Sequence, residues 1–272
     1  MTFAEIVSKL KSFGSLEPEN EAFIILEELF GVTRASILSN KDKDYPSPKT
    51  AEVLEKRKDK TPIQYIFGKW QFMGKDFYVS KDCLIPRMDT EILVSRAINE
   101  AKDAHIVADF CTGSGCIGVS MLNFCPHIDK MLLYDISEGA LKMAEKNAMC
   151  HGVYEKCSFI KTDILKEVPK QKFDMILSNP PYIPTKDIDS LADEVKKEPF
   201  IALDGGDDGL VFVRRLIDTY LDYLNDNGKM LIEFGFDQGE KIDALLKQNE
   251  KIKSYEFLKD YGGNIRCVVI YK

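Results

Sequence analysis

Short apolar runs alternate with helical patterns from residue 104 to the end of the chain. The candidate strands are 105–110, 130–134, 157–161, 173–178, 228–234, 254–258 and 265–271, and the candidate helices are 115–124, 137–151, 209–225 and 238–248. This alternation predicts an α/β fold with a mostly parallel seven-stranded sheet and helices on both faces. Because a turn at 261–264 replaces a helix between the last two strands, we expect the final strand to be antiparallel.

The segment 1–60 carries a purely helical pattern. Pro18 stands at a typical first helical position, and Gly31 at a typical position after a helix end. Further short helices are predicted around 34–38 and 48–58. The apolar residues of the first helix recur at helical spacing, at Phe3, Ile6, Val7 and Leu10. We therefore predict a small helical bundle over residues 1–60.

A hairpin pattern follows the bundle. Apolar and aromatic residues at Tyr65-Ile66, 70–72 and 77–79 surround a glycine-containing turn at 73–75, which favours a β-hairpin. We interpret residues 61–86 as a hairpin linker between the bundle and a second domain of residues 87–272. A helix is expected to start that domain at about Asp89.

The composition of the chain disfavours several classes of protein. A net charge of −7 disfavours binding to a nucleic acid backbone, so we expect no direct nucleic acid partner. Seven cysteines without a Cys-x-x-Cys pair, together with only three histidines, indicate a cytoplasmic protein with reduced thiols and no metal site. No apolar run approaches the roughly 18 residues that a membrane span requires, so no membrane partner is expected.

The stretch Asn179-Pro180-Pro181-Tyr182 comes directly after the candidate strand 173–178. Two consecutive prolines cannot donate backbone hydrogen bonds, and each restricts the residue before it. The strand must therefore end at Asn179. The result is a stiff elbow at the carboxyl end of a strand, which is where open α/β sheets bind ligands.

A glycine-rich loop follows the first candidate strand of the sheet. Gly113, Gly115 and Gly118 satisfy the G-x-G-x-x-G pattern, which is typical of a tight turn and close approach to a nucleotide ligand. The alternative for the pattern alone is a tight turn that binds nothing. Asp135 ends the next strand, at a place where a carboxylate can accept both hydroxyls of a ribose. A nucleoside-containing ligand is therefore expected.

Asp109 argues against NAD, because its charge would oppose a pyrophosphate beside the loop. S-adenosyl-L-methionine carries a sulfonium and an amino group instead, and its ribose suits Asp135. Asp163 can accept a hydrogen bond from an adenine amino group, and Ile164 can pack on the ring. A helix cap or a turn is the alternative role for Asp163.

The elbow suits a planar group that bears –NH2. The Asn179 side-chain carbonyl and the Pro180 backbone carbonyl can together accept both hydrogens, and Tyr182 can cover the plane. A rigid turn in which Asn179 caps the strand is the alternative. The elbow by itself does not distinguish the amino group of a nucleobase from the side-chain amide of a protein.

These motifs resemble those of the Asn-Pro-Pro-Tyr amino-methyltransferases, and longer segments resemble the HemK/PrmC family. The segments are Pro62-Ile63-Gln64-Tyr65-Ile66 with Gly68, Leu84-Ile85-Pro86-Arg87, Asp89-Thr90-Glu91, Glu198-Pro199, 202–210, Glu233 with Gly235, Gln238-Gly239, and Asp260 with Gly263 and Arg266. The resemblance covers nearly the whole chain. It implies a Rossmann-like class I methyltransferase domain, preceded by the helical bundle and the hairpin linker.

The resemblance also implies an activity. The family methylates the glutamine amide in the Gly-Gly-Gln motif of peptide chain release factors, with S-adenosyl-L-methionine as donor and S-adenosyl-L-homocysteine as product and without a metal. The bundle at 1–60 would help to dock the release factor, and we expect a monomer. Cys111 departs from the family pattern, because the family commonly has glycine there.

The candidate site residues follow from these motifs and from the resemblance. The candidate cofactor-binding residues are Asp109, Cys111, Thr112, Gly113, Ser114, Gly115, Asp135, Asp163, Ile164 and Asn179. The candidate catalytic residues are Asn179, Pro180 and Tyr182, and the candidate substrate-binding residues are Asn179, Pro180, Pro181 and Tyr182.

Four other functions remain alternatives. A nucleic-acid adenine amino-methyltransferase could use the same elbow, although the acidic residues at 187–194 disfavour a phosphate backbone there. A ribosomal-protein glutamine methyltransferase would be a close relative. A non-catalytic module that docks on translation factors would not require the intact loop, Asp135 and elbow. An NAD oxidoreductase is disfavoured by Asp109.

Overall fold

The computed structural model describes residues 1–272, with the exception of the Ser47 side chain. The chain forms two compact units. The first contains residues 1–68 and 192–197, and the second contains residues 69–191 and 198–272. Within the described residues, no helix is both long enough and apolar enough to cross a membrane.

The first unit is helical. Its helices are α1 (Phe3–Ser12), α2 (Pro18–Phe30), α3 (Arg34–Ser39), α4 (Ser47–Lys58) and α5 (Ile63–Phe67), with a 3-10 turn at Val195–Lys197. A capping box between Thr2 and Glu5 starts α1, so two backbone donors of its first turn have partners. Because the apolar faces of α1 and α2 pack together, Leu10 and Ile25 are fully buried.

A buried ion pair holds the segment 192–197 in this unit. Arg57 of α4 is almost fully buried, and its Nε lies 2.8 Å from Glu21 Oε2 of α2. Its Nη2 donates to Glu194 Oε1 at 2.6 Å. The planar guanidinium thereby joins two helices and the inserted segment through charge-assisted hydrogen bonds.

The prediction that Tyr65-Ile66 belong to the hairpin is wrong, because these residues lie in α5. Pro62 precedes this short helix with φ −53°, and Gly68 ends it in the left-handed conformation with φ 70°. The hairpin consists only of β1 (Lys69–Phe72) and β2 (Lys75–Tyr78). Met73 and Gly74 have φ of 51° and 72°, as in the hairpin turns that match the twist of the strands.

The second unit contains the predicted sheet. Its strands are β3 (Ile106–Phe110), β4 (Lys130–Asp135), β5 (Cys157–Lys161), β6 (Phe173–Ser178), β7 (Leu224–Glu233), β8 (Ser254–Lys259) and β9 (Ile265–Tyr271). Its helices are α6 (Thr90–Glu100), α7 (Cys116–Phe124), α8 (Glu138–Cys150), α9 (Phe200–Leu203), α10 (Val211–Thr219) and α11 (Gly239–Lys247). Short 3-10 turns lie at Tyr154–Lys156, Thr185–Ser190 and Tyr220–Tyr223.

The strand order is β5-β4-β3-β6-β7-β9-β8. The pairs from β5 to β7 are parallel, whereas β9 is antiparallel to both of its neighbours. The predicted mostly parallel seven-stranded sheet with an antiparallel last strand is confirmed. Each face of the sheet is covered by its own apolar cluster, so the strands read as continuous apolar runs. The chain leaves β3 toward β4 and later returns to the other side of β3 with β6, which makes a topological switch point.

The predicted helix 209–225 is too long. Helix α10 ends at Thr219, a 3-10 turn follows, and β7 begins at Leu224. The sequence Asn227-Gly228 resembles a turn, but here it lies inside β7. Asn227 has φ 62°, and the register with β6 shifts between Phe173 and Met175, as at a β-bulge.

The chain makes a closed excursion after the elbow, over residues 183–206. Ile183 N donates to Leu203 O at 3.0 Å, and Gly205 N donates to Ile183 O at 2.8 Å. Ile183 and Asp204 form a parallel bridge at the base of the excursion. The excursion therefore begins and ends at the same place beside Tyr182.

We predict that Gly115→Ala destabilises the fold more than Gly152→Ala does. Both glycines have positive φ, at 77° and 70°, so alanine strains the backbone by about 1–2 kcal/mol at either position. A Cβ at Gly115 would lie 2.8 Å from Ala144 Cβ of α8, whereas no atom lies within 4 Å of one at Gly152. Overpacking should add about 1–3 kcal/mol at Gly115 only. Urea unfolding measures both losses, and equal losses would contradict this account of the contact between α7 and α8.

Candidate active site

A cavity of about 390 Å³ lies at the carboxyl ends of the central strands. Its volume is in the range of small-molecule sites. Nine of the predicted site residues line it, namely Cys111, Thr112, Gly113, Ser114, Asp135, Asp163, Ile164, Asn179 and Pro181. Asp109, Gly115, Pro180 and Tyr182 are not among the lining residues. The switch between β3 and β6 thus brings together segments that are distant in the sequence.

The loop after β3 turns tightly through left-handed conformations. Gly113 and Gly115 have φ of 55° and 77°, and Thr112 N donates to Tyr134 O of β4 at 3.0 Å. No atom lies within 4 Å of the position that a Cβ on Gly113 would take, so the backbone faces open space there. The buried Asn147 of α8 donates to Ser114 O at 2.8 Å and fixes the far side of the loop.

Cys111 also adopts the left-handed conformation, with φ 59°. This backbone geometry favours glycine and costs a residue with a Cβ about 1–2 kcal/mol. The cysteine lines the cavity all the same. Burial raises the pKa of its thiol well above the ordinary value, so the thiol is neutral. Cys111 therefore contributes an uncharged part of the cavity wall. Its left-handed φ also gives a physical reason why glycine is common at this position in the family that the chain resembles.

Backbone donors orient the Asp135 carboxylate. Gly113 N donates to Oδ2 at 2.8 Å, and Ser137 N donates to Oδ1 at 2.8 Å. Burial is the largest influence on this group and raises its pKa, while the backbone donors oppose that shift. Each carboxylate oxygen can accept a further hydrogen bond, so the side chain can bind a pair of hydroxyl groups at the cavity edge.

Asp109 supports the loop from beneath. Its fully buried Oδ2 accepts from Thr112 Oγ1 at 2.6 Å and from Gly118 N of α7 at 3.0 Å. Its Oδ1 has no hydrogen-bond partner among the residues that the structure describes. Burial raises the pKa of Asp109 to about 7. Direct contact of Asp109 with a cofactor stays a prediction, and its bonds to Thr112 and Gly118 give it a role in shaping the loop.

Asp163 and Ile164 follow β5 and line the cavity side by side. Lys166 lies 2.7 Å from Asp163 Oδ2, and Leu165 N donates to Asp163 Oδ1 at 3.1 Å. The bond to Lys166 is the main reason that the pKa of Asp163 is lowered, so this carboxylate is ionised at neutral pH. Ile164 is buried and offers a flat apolar surface next to it.

Asn179 follows β6 and lines the cavity. Its Nδ2 donates to Thr90 Oγ1 of α6 at 3.0 Å. Its Oδ1 is buried and has no hydrogen-bond partner in the described part of the chain. A buried acceptor without a partner costs about 1–3 kcal/mol, so Asn179 Oδ1 is a candidate acceptor for an N–H or O–H donor of a ligand.

Tyr182 lies behind the elbow and is partly buried. Its carbonyl accepts from Gln238 Nε2 at 2.8 Å, which holds the chain as it leaves the elbow. Burial raises the pKa of its hydroxyl above the ordinary range, so the phenol is neutral.

Sequence reasoning assigned no role to Thr90, Glu198 or Glu233, although each lies in a segment that resembles the family. Glu198 is buried, accepts from Ile85 N at 3.0 Å and pairs with Arg87. These bonds hold the segment 82–87 that forms one cavity wall. No spacing pattern predicts a contact between positions so far apart in the sequence, so resemblance was the available signal.

The described residues contain no group of three or more His, Cys, Asp and Glu side chains that could hold a metal ion.

Two family profiles match the chain. One is described as the Methyltransferase small domain and matches residues 87–206, and the other is described as the PrmC N-terminal domain and matches residues 2–68. The chain is 37% identical over 270 residues to the release factor glutamine methyltransferase of Clostridium botulinum, which covers 96% of this chain and 94% of that protein. It is 32% identical over 274 residues to the release factor glutamine methyltransferase of Moorella thermoacetica, with 98% and 96% covered.

Solved structures share the fold. The catalytic domain of hMettl16 in complex with an RNA hairpin matches with a TM-score of 0.56 and 14% identity, over 86% of this chain and 94% of that one. The ribosomal protein L11 methylase of Lactobacillus delbrueckii matches with a TM-score of 0.50 and 23% identity, over 74% of this chain and 89% of that one. At these identities the likeness concerns the fold alone.

We predict that Asp109→Asn changes the pH dependence of stability. The folded pKa of Asp109 is about 7 against an ordinary value of 3.8, so the folded state binds more protons between these two values. This group therefore lowers the free energy of unfolding as the pH rises from about 4 to about 7. Asparagine does not titrate, so the variant should gain stability relative to the wild type between about pH 5 and about pH 8.

Urea unfolding at these two pH values measures the difference. The exposed Asp226→Asn serves as a control that should show no such relative gain. An equal stability difference between Asp109→Asn and the wild type at both pH values would contradict the buried, proton-binding state of Asp109.

Proposed function

The chain belongs to the family of release factor glutamine methyltransferases, and from this premise we propose its reaction. It transfers a methyl group from S-adenosyl-L-methionine to the side-chain amide nitrogen, N5, of the glutamine in the Gly-Gly-Gln motif of peptide chain release factors. The observation that carries the proposal is that Asn179 lines the cavity and that its buried Oδ1 is an acceptor without a partner among the described residues.

The cavity residues fit S-adenosyl-L-methionine. Asp135 offers two oriented carboxylate oxygens for the ribose hydroxyls. The open side of Gly113 leaves room for the part of the ligand that passes the loop. Asp163 offers an acceptor for the adenine amino group, and the buried Ile164 offers an apolar surface for its ring. When bound, the cofactor supplies an electrophilic methyl group and leaves as S-adenosyl-L-homocysteine.

Asn179 binds and directs the acceptor. The nitrogen of an amide is a weak nucleophile, because its lone pair is delocalised into the carbonyl group. A hydrogen bond from the glutamine –NH2 to Asn179 Oδ1 holds that nitrogen in place and stabilises positive charge as it develops on the N–H group. Positioning and preorganised electrostatics of this kind are large contributions to catalysis.

The two prolines keep the elbow suited to this role. The backbone carbonyl of Pro180 can accept the second hydrogen of the –NH2 group. Neither proline has an N–H that would compete with the glutamine amide for this carbonyl oxygen. Pro181 lines the cavity beside Asn179. We assign to the neutral Tyr182 the covering of the acceptor plane, while the methylated amide releases its proton to water.

The helices of the first unit are the proposed docking element for the release factor. The family profile of the PrmC N-terminal domain coincides with residues 2–68, which form this unit together with 192–197. We propose a three-part organisation, with docking by residues 1–60, a linker at 61–86 and catalysis by residues 87–272. The protein would act as a monomer in the cytoplasm, without direct contact to nucleic acid.

Intact-mass analysis tests the proposed reaction. A purified release factor incubated with the protein and S-adenosyl-L-methionine should gain one methyl group, and fragmentation should locate it on the Gly-Gly-Gln glutamine. Asn179→Ala should lower the single-turnover rate about a hundredfold or more, since it removes an oriented acceptor. A Gly-Gly-Gln motif changed to Gly-Gly-Glu in the release factor is the matched substrate control. Methylation of a nucleic acid or of a ribosomal protein, with an unmodified release factor, would contradict the proposal.

We predict that Asp135→Ala weakens cofactor binding. Loss of hydrogen bonds to a charged group costs about 1.5–3 kcal/mol each, so the Kd should rise about tenfold or more. Isothermal titration calorimetry with S-adenosyl-L-homocysteine measures the change. The control is Asp129→Ala, because Asp129 is exposed and lies outside the cavity lining. An unchanged affinity in Asp135→Ala would rule out the proposed ribose contact.

A further inference from the structure

A buried glutamine holds the backbone where the chain leaves the elbow. Gln238 is 2% exposed and stands directly before α11, and its carbonyl accepts from Ile242 N at 3.0 Å. Its own N–H donates to Gly235 O at 2.9 Å. The turn after β7 and the first turn of α11 therefore both fix the main chain of Gln238. Its side chain starts from a fixed point.

The side-chain amide of Gln238 contacts three backbone groups. Its Oε1 accepts from Gly235 N at 2.8 Å. Its Nε2 donates to Tyr182 O at 2.8 Å and to Gly209 O at 3.3 Å. Because a backbone N–H only donates and a carbonyl oxygen only accepts, a half turn of this amide would break all three bonds. The three contacts therefore select one orientation of the Gln238 amide.

The turn that contains Gly209 packs closely on the same atoms. A Cβ on Gly209 would lie 2.3 Å from Tyr182 O and 2.5 Å from Gln238 Nε2. A Cβ on Gly205 would lie 2.8 Å from Tyr182 Cα. Both positions exclude a larger residue. The main chain of Tyr182 is thus confined by close packing on the side of this turn and by a hydrogen bond at its carbonyl.

We propose that Gln238 is a positioning residue that sets the direction in which the chain leaves the elbow. Tyr182 is the last residue of the elbow, so a bond that fixes its carbonyl also limits the backbone rotations that aim its ring. The two prolines restrict the chain before Tyr182, and Gln238 restricts it afterwards. This inference rests on the proposed function, in which Tyr182 covers the plane of the acceptor amide. Gln238 is not among the residues that line the cavity, so it acts through Tyr182.

Gln238→Met tests this role. Methionine is a flexible side chain of similar length, but it cannot donate a hydrogen bond to either carbonyl. The single-turnover rate with a release factor should fall about tenfold or more, since a displacement of about 1 Å at the reacting groups can cost about a hundredfold. The affinity for S-adenosyl-L-homocysteine should not change. The exposed Gln248, directly after α11, provides the control Gln248→Met, which should keep the wild-type rate and affinity.

Gly209→Ala displaces the same atoms without changing Gln238. Gly209 has φ 76°, and Gly152, which serves as the control, has φ 70°. Alanine therefore strains the backbone to a similar extent at both positions. Only the Cβ at position 209 would collide with Tyr182 and Gln238, because no atom lies within 4 Å of a Cβ at position 152. The rate should fall in Gly209→Ala and should stay at the wild-type value in Gly152→Ala.

The nuclear magnetic resonance signals of the Tyr182 ring give a readout without turnover. In protein that contains isotope-labelled tyrosine, they are identified by their absence from the spectrum of Tyr182→Phe. These signals should shift in Gln238→Met and in Gly209→Ala, because both changes alter the surroundings of the Tyr182 carbonyl. They should not shift in Gly152→Ala.

The outcomes separate this inference from the proposed function. If the wild type methylates the release factor, and Gln238→Met and Gly209→Ala are equally fast with unchanged Tyr182 signals, the positioning role is wrong and the function stands. If the two variants lose folding or cofactor affinity together with the rate, Gln238 has a general structural role and the inference is also overturned. If the wild type does not methylate the release factor, the proposed function fails. The Tyr182 signals then still decide whether Gln238 positions this residue.

Discussion

The position of β3 between β4 and β6 is the constraint on which the site depends. It pairs in parallel with β4 on one side and with β6 on the other, so the loops after all three strands open at the same edge. The glycine loop, Asp135 and Asn179 each follow one of these strands. These residues lie around the same cavity because backbone hydrogen bonds fix the register of the three strands. Short loops are then enough to place them at the same edge of the sheet.

The parts of the fold that depend on local pattern could be predicted from the sequence. The alternation of apolar runs and helical segments predicted the seven strands to within a few positions, and the lack of a helix before β9 predicted its direction. The elbow and the glycine loop could be placed at strand ends because prolines and glycines restrict the backbone locally. Their proximity in space then followed from the topology of parallel sheets.

The features that could not be predicted from the sequence depend on contacts between distant segments. Thr90 contacts Asn179 from a different part of the sequence, and Asn147 of α8 holds both Ser114 of the loop and Tyr78 of the hairpin. A buried threonine or asparagine has no sequence pattern that identifies its partner. The predicted boundary between the helix 209–225 and the strand 228–234 was also wrong, because β7 already begins at Leu224 and its register with β6 shifts before Lys229. In α5, the flanking Pro62 and Gly68 outweighed the β-forming side chains between them.

The closed excursion at 183–206 has a consequence for how such enzymes change over time. Its two ends are joined by hydrogen bonds at Ile183, so its exposed residues at 185–187 can vary without displacing the elbow, whereas Glu194 and Glu198 are held by their ion pairs. Insertions in a loop whose ends are already fixed have a small entropic effect on stability, which grows only with the logarithm of length. Natural selection can therefore remodel this exposed surface while the elbow at Asn179 keeps its position.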